Sequence, residues 1–149
     1  MKSIEQVVTF RAAPAQVFEA LIDSAQHAAF TGEPAAIERH VGGAVSCYGG
    51  KVTGIQLDVA KDERIVQAWR PGNFPPGAFT LVTYALAPDG ADGKGTKLTF
   101  TQHAVPDEAH EHLSKGWEER YWKPLRAFLE DKTSKTSKSN ETSETRQHR

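Results

Sequence analysis

Apolar residues change their spacing along this chain in a way that separates its elements. Ile4 to Phe10 is rich in β-favouring residues and ends before Ala12-Ala13-Pro14, which predicts a strand followed by a helix with Pro14 in its first turn. Val17, Phe18, Leu21 and Ile22 recur at helical spacing, and Ser24 is placed to cap a second short helix reaching about Phe30. Thr31-Gly32-Glu33-Pro34 interrupts it. Short strands with glycine punctuation follow: Ala35 to His40, Ala44 to Tyr48, and Val52 to Val59, the last with Ile55, Leu57 and Val59 on one face. Arg64 to Arg70 is the next strand. The proline- and glycine-rich run from Pro71 to Gly77 predicts a loop, and Ala78 to Leu86 with Thr96 to Ala104 predicts a hairpin across Asp89 to Gly95.

The final periodic segment, about Pro106 to Leu129, carries Ala109, Leu113, Trp117, Tyr121, Leu125 and Phe128 as one stripe. Pro124 removes a backbone donor and crowds the carbonyl of Arg120, so a kink or break is expected nearby. A lone amphipathic helix after a series of strands buries its stripe against their sheet. The expected architecture is therefore α+β: a curved antiparallel sheet packed on a long C-terminal helix. Beyond it, Asp131 to Arg149 contains no aliphatic or aromatic residue. Ordering that stretch would cost chain entropy with no apolar burial in return, so residues 1–130 are expected to form the domain and 131–149 a disordered polar tail.

Composition narrows the functional classes. The 149 residues carry 18 basic and 19 acidic side chains, for a formal net charge of -1, which offers no electrostatic case for nucleic acid. Cys47 is the sole cysteine, so an internal disulfide framework is excluded. No window approaches a membrane span of about 20 apolar residues. The first residues lack an apolar run of signal-peptide length, and the expected address is the cytoplasm.

Five segments, in order, are similar to a known family: His27-Ala28-Ala29-Phe30-Thr31-Gly32-Glu33-Pro34-Ala35, Val41-Gly42-Gly43-Ala44-Val45-Ser46, Gly49-Gly50-Lys51-Val52-Thr53-Gly54, Ile65-Val66-Gln67-Ala68-Trp69-Arg70 and Gly116-Trp117-Glu118-Glu119-Arg120-Tyr121-Trp122-Lys123-Pro124-Leu125. They resemble the C-terminal domain of the activator of heat-shock protein 90 ATPase, within the SRPBCC or START-like superfamily. The resemblance covers nearly all of residues 1–130. It implies a helix-grip fold with a cavity between sheet and helix; such a fold licenses a pocket rather than a chemistry. It also implies a heat-shock protein 90 type chaperone as a partner. The full co-chaperone has an additional N-terminal domain that carries much of its chaperone binding and stimulation. Here the START-like strand begins at residue 4, so ATPase stimulation is not carried over, and docking on such a chaperone is kept as an alternative.

The residues expected to line the cavity are Trp69, Phe79, Phe100, Trp117 and Tyr121, with Arg70 at its mouth to anchor an anionic head group. The competing reading of each aromatic is packed core, and of Arg70 a structural ion pair. A dry void of about 300 Å³ would cost roughly 7 kcal/mol, at about 24 cal/mol per Å³. That is large beside a domain stability of about 5–15 kcal/mol. The space must therefore be filled by aromatics, occupied by water or ligand, or open to solvent.

No catalytic, metal or cofactor residues are assigned. Gly49-Gly50-Lys51 lacks the earlier glycine and the following Ser or Thr of a phosphate loop, and the glycine pairs read as turns and bulges. His110 and His112 point to different sides of a helix, and Ser114 stands where a zinc-protease pattern needs histidine. Cys47 reads as a small buried residue. The leading expectation is a non-catalytic module for a small hydrophobic or amphipathic molecule. Chaperone docking is the alternative, and a cyclase- or dehydratase-like enzyme is third. The mark of the third would be a buried carboxylate or His103 facing the cavity.

Overall fold

The computed structural model describes residues 1–131. Of the tail expected over 131–149, Asp131 is helical and residues 132–149 lie outside the described residues. Seven strands form one antiparallel sheet in the order β1-β7-β6-β5-β4-β3-β2. They are β1 (Lys2–Phe10), β2 (Ala36–Ile37), β3 (Ala44–Cys47), β4 (Val52–Ala60), β5 (Arg64–Pro71), β6 (Thr80–Asp89) and β7 (Gly95–Val105). Helices α1 (Pro14–Ile22) and α2 (Ser24–Thr31) fill the long connection from β1 to β2. The C-terminal helix follows β7 and packs its stripe against the sheet, so the expected helix-grip arrangement holds.

Local chemistry explains the short helices. Pro14 opens α1, where its missing N–H is no loss. The cap of α2 is Asp23 rather than the expected Ser24: the Asp23 carboxylate accepts from the Gln26 amide at 3.0 Å. Ser24 instead accepts the Ile37 amide at 2.8 Å, tying α2 to the edge strand. That strand is shorter than expected, with only Ala36 and Ile37 paired.

Two features give the sheet its close pairing and irregularity. Gly54 on β4 lies against β5 so closely that a Cβ there would stand 2.0 Å from the Ala68 carbonyl oxygen. The register of β4 on β5 shifts between Gln56 and Asp58, a bulge-type irregularity. The shift also splits the apolar set expected on one face of β4, because Val59 packs against the core while Ile55 and Leu57 do not. Ile55 and Leu57 are 44% and 46% exposed, while Val52 and Gln56 are buried. Gln56 is tolerated inside because its amide donates to the Glu38 carbonyl and its oxygen accepts from Gln67, each at 3.2 Å.

The C-terminal helix is helical throughout its described length but not uniform. A 3₁₀ turn (Asp107–Ala109) leads into α3 (His110–Trp117), then a π-helical turn (Glu118–Trp122), and helix continues over 123–131. The strain expected near Pro124 is absorbed in that wider turn, without a break. Pro124 has no N–H for the Arg120 carbonyl, which accepts instead from the Tyr48 hydroxyl at 3.2 Å. The extra residue in the turn also brings Trp122 inward beside Trp117, Tyr121 and Leu125, all buried. Ala109, Leu113 and Phe128 are half-buried at the ends of the stripe.

Candidate functional site

Alternation along three central strands points Trp69 on β5, Tyr84 on β6 and Phe100 on β7 toward the C-terminal helix. There they meet its aromatics. Trp117 sits 4.2 Å from Phe100, 4.9 Å from Trp69 and 4.8 Å from Tyr121, between ring centroids. The middle of the grip is thus packed with rings.

Two glutamines, Gln102 buried and Gln6 half-buried, aim the helix tryptophans. The Trp117 indole donates to Gln102 Oε1 at 2.8 Å, and the Trp122 indole donates to Gln6 Oε1 at 2.6 Å. The Gln102 amide in turn donates to Thr80 Oγ1 at 3.0 Å, and Thr80 donates to the Trp69 carbonyl at 2.6 Å. Gln6 also donates to the Ser114 carbonyl at 3.0 Å. Each indole N–H therefore has a fixed acceptor, which sets helix rotation as well as depth.

At one end of the grip the packing opens into a cavity of about 950 Å³. Its walls are the inner side of α3 and the π turn, the start of β4, the end of β5, the loop after it, and the turn at Tyr48. Leu113, Trp117, Trp69, Phe74, Val52 and Pro124 supply apolar surface. Glu33, Lys51, His112, Glu119 and Arg120 bring charge or polarity to the same space. The cavity is open to solvent, so the cost of a sealed dry void does not arise.

Of the five expected lining aromatics, Trp69, Trp117 and Tyr121 stand on the cavity wall. Phe100 does not, because Trp117 and Trp122 cover it and it is wholly core. Phe79 does not either. It precedes β6 and is 43% exposed, one residue out of phase with the inward-facing Thr80. Arg70 is also corrected. Its guanidinium donates to the carbonyls of Phe74 and Pro75, so it braces the loop that carries Phe74 instead of standing free at the mouth.

A buried polar cluster backs the cavity behind Tyr121, and its members are far apart in sequence. His27 Nε2 lies 2.9 Å from the Tyr121 hydroxyl and 3.8 Å from Cys47 Sγ. Burial lowers the His27 pKa to about 4 and pushes the Cys47 thiol up to about 12. Burial also raises Tyr121 and Tyr84, which share a hydrogen bond. At neutral pH every member is uncharged. The Cys–His pair is thus the reverse of an activated thiolate–imidazolium couple. His103 lies elsewhere: it is exposed on β7, with Nδ1 2.8 Å from the Ser3 hydroxyl.

These features define a helix-grip domain with an open, aromatic-walled cavity at one end. The chain matches the family model described as "Activator of Hsp90 ATPase homolog 1-like protein" over residues 11–130, and it belongs to that family. It is 27% identical over 116 residues to an activator of 90 kDa heat shock protein ATPase homolog from Dictyostelium discoideum, covering 78% of this chain and 30% of that protein. It is 26% identical over 118 residues to homolog 1 from Mus musculus, covering 79% and 34% respectively. The chain thus spans about a third of the length of these curated relatives. Its fold is also that of an HSP90 activator from Plasmodium falciparum, with a TM-score of 0.80 at 21% identity over 87% of this chain and 96% of that one. Among the described residues, no helix is long and apolar enough to cross a membrane.

Proposed function

We propose that this domain is a binding module whose cavity holds a small amphipathic molecule against Trp69, Phe74, Leu113 and Trp117. The carrying observation is the cavity itself, about 950 Å³ and walled chiefly by apolar side chains. Its volume falls within the range of about 300–1,000 Å³ usual for small-molecule sites. The Trp117 ring in its wall is fixed by donating to Gln102, which in turn donates to Thr80, so the wall is preformed and little ordering cost falls on binding. The neutral state of the His27–Cys47–Tyr121 cluster favours binding over nucleophilic chemistry. Native mass spectrometry of protein purified from its own host, with a thermal-shift screen of lipids and aromatic acids, tests the reading. It fails if no small molecule co-purifies and no compound raises the melting temperature.

A second reading, docking on a heat-shock protein 90 type chaperone, is favoured by the family match over residues 11–130. A pull-down with such a chaperone, followed by its ATPase rate with and without this domain, separates docking from stimulation. Absence of a complex at tens of micromolar would count against this reading.

A further inference from the structure

We propose that the cavity selects an amphipath with a single negative charge, its carboxylate held by Arg120 and its apolar body lying along Trp117 and Phe74. The inference rests on the cavity reading above and adds the chemical class of the ligand.

The charges around the opening do not cancel evenly. Glu33 has Lys51 at 4.0 Å, and Glu119 has Lys123 at 3.7 Å. Both carboxylates of the wall thus have a lysine beside them. Arg120 lines the same space, and among the described residues no carboxylate pairs with its guanidinium. The cation left over beside the apolar wall is therefore an arginine, whose planar fork matches a carboxylate in two parallel hydrogen bonds.

Backbone geometry places that charge. Arg120 belongs to the π turn, and because Pro124 cannot bond the Arg120 carbonyl, the Tyr48 hydroxyl does. This contact staples the Arg120 backbone to the opposite wall of the cavity. The positive charge acts on the Tyr48 hydroxyl, opposing the rise that burial imposes on it. Arg120 is exposed at the lip of that opening, on the π turn that forms part of its wall. The other arginine near the mouth, Arg70, is engaged by the Phe74 and Pro75 carbonyls and serves to hold the Phe74 side of the wall.

The test titrates the full chain with decanoate and with decan-1-ol, which share a tail and differ in head-group charge, by calorimetry in wild type and in Arg120→Gln. That variant keeps the backbone carbonyl that Tyr48 uses, and its melting curve reports whether the fold is intact. Decanoate should bind wild type about two- to fivefold more tightly than decanol, as an exposed ion pair allows. Arg120→Gln should remove that preference and leave decanol affinity unchanged. Equal binding of both probes by wild type, or a preference for decanoate that survives in Arg120→Gln, overturns the anionic assignment while the cavity reading stands. If neither probe binds wild type, the anionic assignment is overturned, and the cavity reading is decided by the mass-spectrometry and thermal-shift screen above.

Discussion

The indole nitrogen of Trp117 donates to Gln102 Oε1 across 2.8 Å of buried space, joining the C-terminal helix to β7. Three consequences meet in this bond. It satisfies an indole N–H that would otherwise be stranded among rings, it fixes which face of the helix looks inward, and it presents one side of Trp117 to the cavity.

Truncating Trp117 should therefore cost more than its hydrogen bond. Trp117→Ala removes contacts to Trp69, Phe100, Tyr121 and Trp122, and a loss of about 3–5 kcal/mol is expected in urea unfolding. Trp117→Phe keeps much of the ring packing but leaves Gln102 Oε1 without its donor, for a loss of about 1–3 kcal/mol. Replacing both partners, Trp117→Phe with Gln102→Leu, should recover part of that second loss. A cost below about 1 kcal/mol for Trp117→Ala would show that the helix does not depend on this face.

His27 gives the stability a pH dependence of definite sign. Burial holds its folded pKa at about 4, below the 6.5 of a free imidazole. Between those values the unfolded chain takes up a proton that the native state refuses. Stability is intact above the upper value, falls as pH drops through the window, and loses about 3 kcal/mol from this group by its lower end. His27→Gln retains a partner for the Tyr121 hydroxyl and cannot titrate. Urea unfolding at the two ends of the window should show a smaller loss in this variant than in wild type. Equal losses would place the acid sensitivity on other groups.

The helix stripe was legible because Trp117, Tyr121 and Leu125 repeat at the spacing that a helix imposes, and burying them needs only one partner surface. The hairpin and the order of strands were legible from glycine- and proline-rich breaks. The face of β4 was not. Ile55 and Leu57 form an apolar set on the exposed side, while the inward Gln56 is stabilised by Gln67 and Glu38, which a period-two reading does not weigh. Phe79 failed for the related reason that strand phase is set by Thr80 bonding the Trp69 carbonyl. Of the site, the wall residues Trp69, Trp117 and Tyr121 were readable from element phase. The glutamines that aim the tryptophans were not, since a glutamine in a strand carries no mark of its partner. His27 and Tyr121 meet across 94 positions, a pairing that only the folded chain creates.

Cys47 should report global opening. Its thiol is buried and pushed up to about 12, so almost none is thiolate at neutral pH and no reagent reaches it in the native state. Reaction with a disulfide reagent should be very slow in buffer and rapid in denaturant, with one thiol per chain. Native labelling as fast as that of a free thiol would place Cys47 at an exposed position.

The same substitution at two glycines should act in opposite directions. At Gly54 an added Cβ would lie 2.0 Å from the Ala68 carbonyl oxygen, inside any permitted contact and against backbone that is paired in the sheet. Relief requires β4 and β5 to separate, so Gly54→Ala should destabilise by at least about 2 kcal/mol. At Gly116, within α3, an added Cβ meets nothing within 4 Å and the backbone is helical. Gly116→Ala reduces the freedom of the unfolded chain at no steric cost and should stabilise by about 0.4–1 kcal/mol. Urea midpoints of the two variants, read against wild type, test the geometry at both places. A neutral Gly54→Ala would mean that the strands do not approach as described, and a destabilising Gly116→Ala would mean that this part of the helix is packed against something at Gly116.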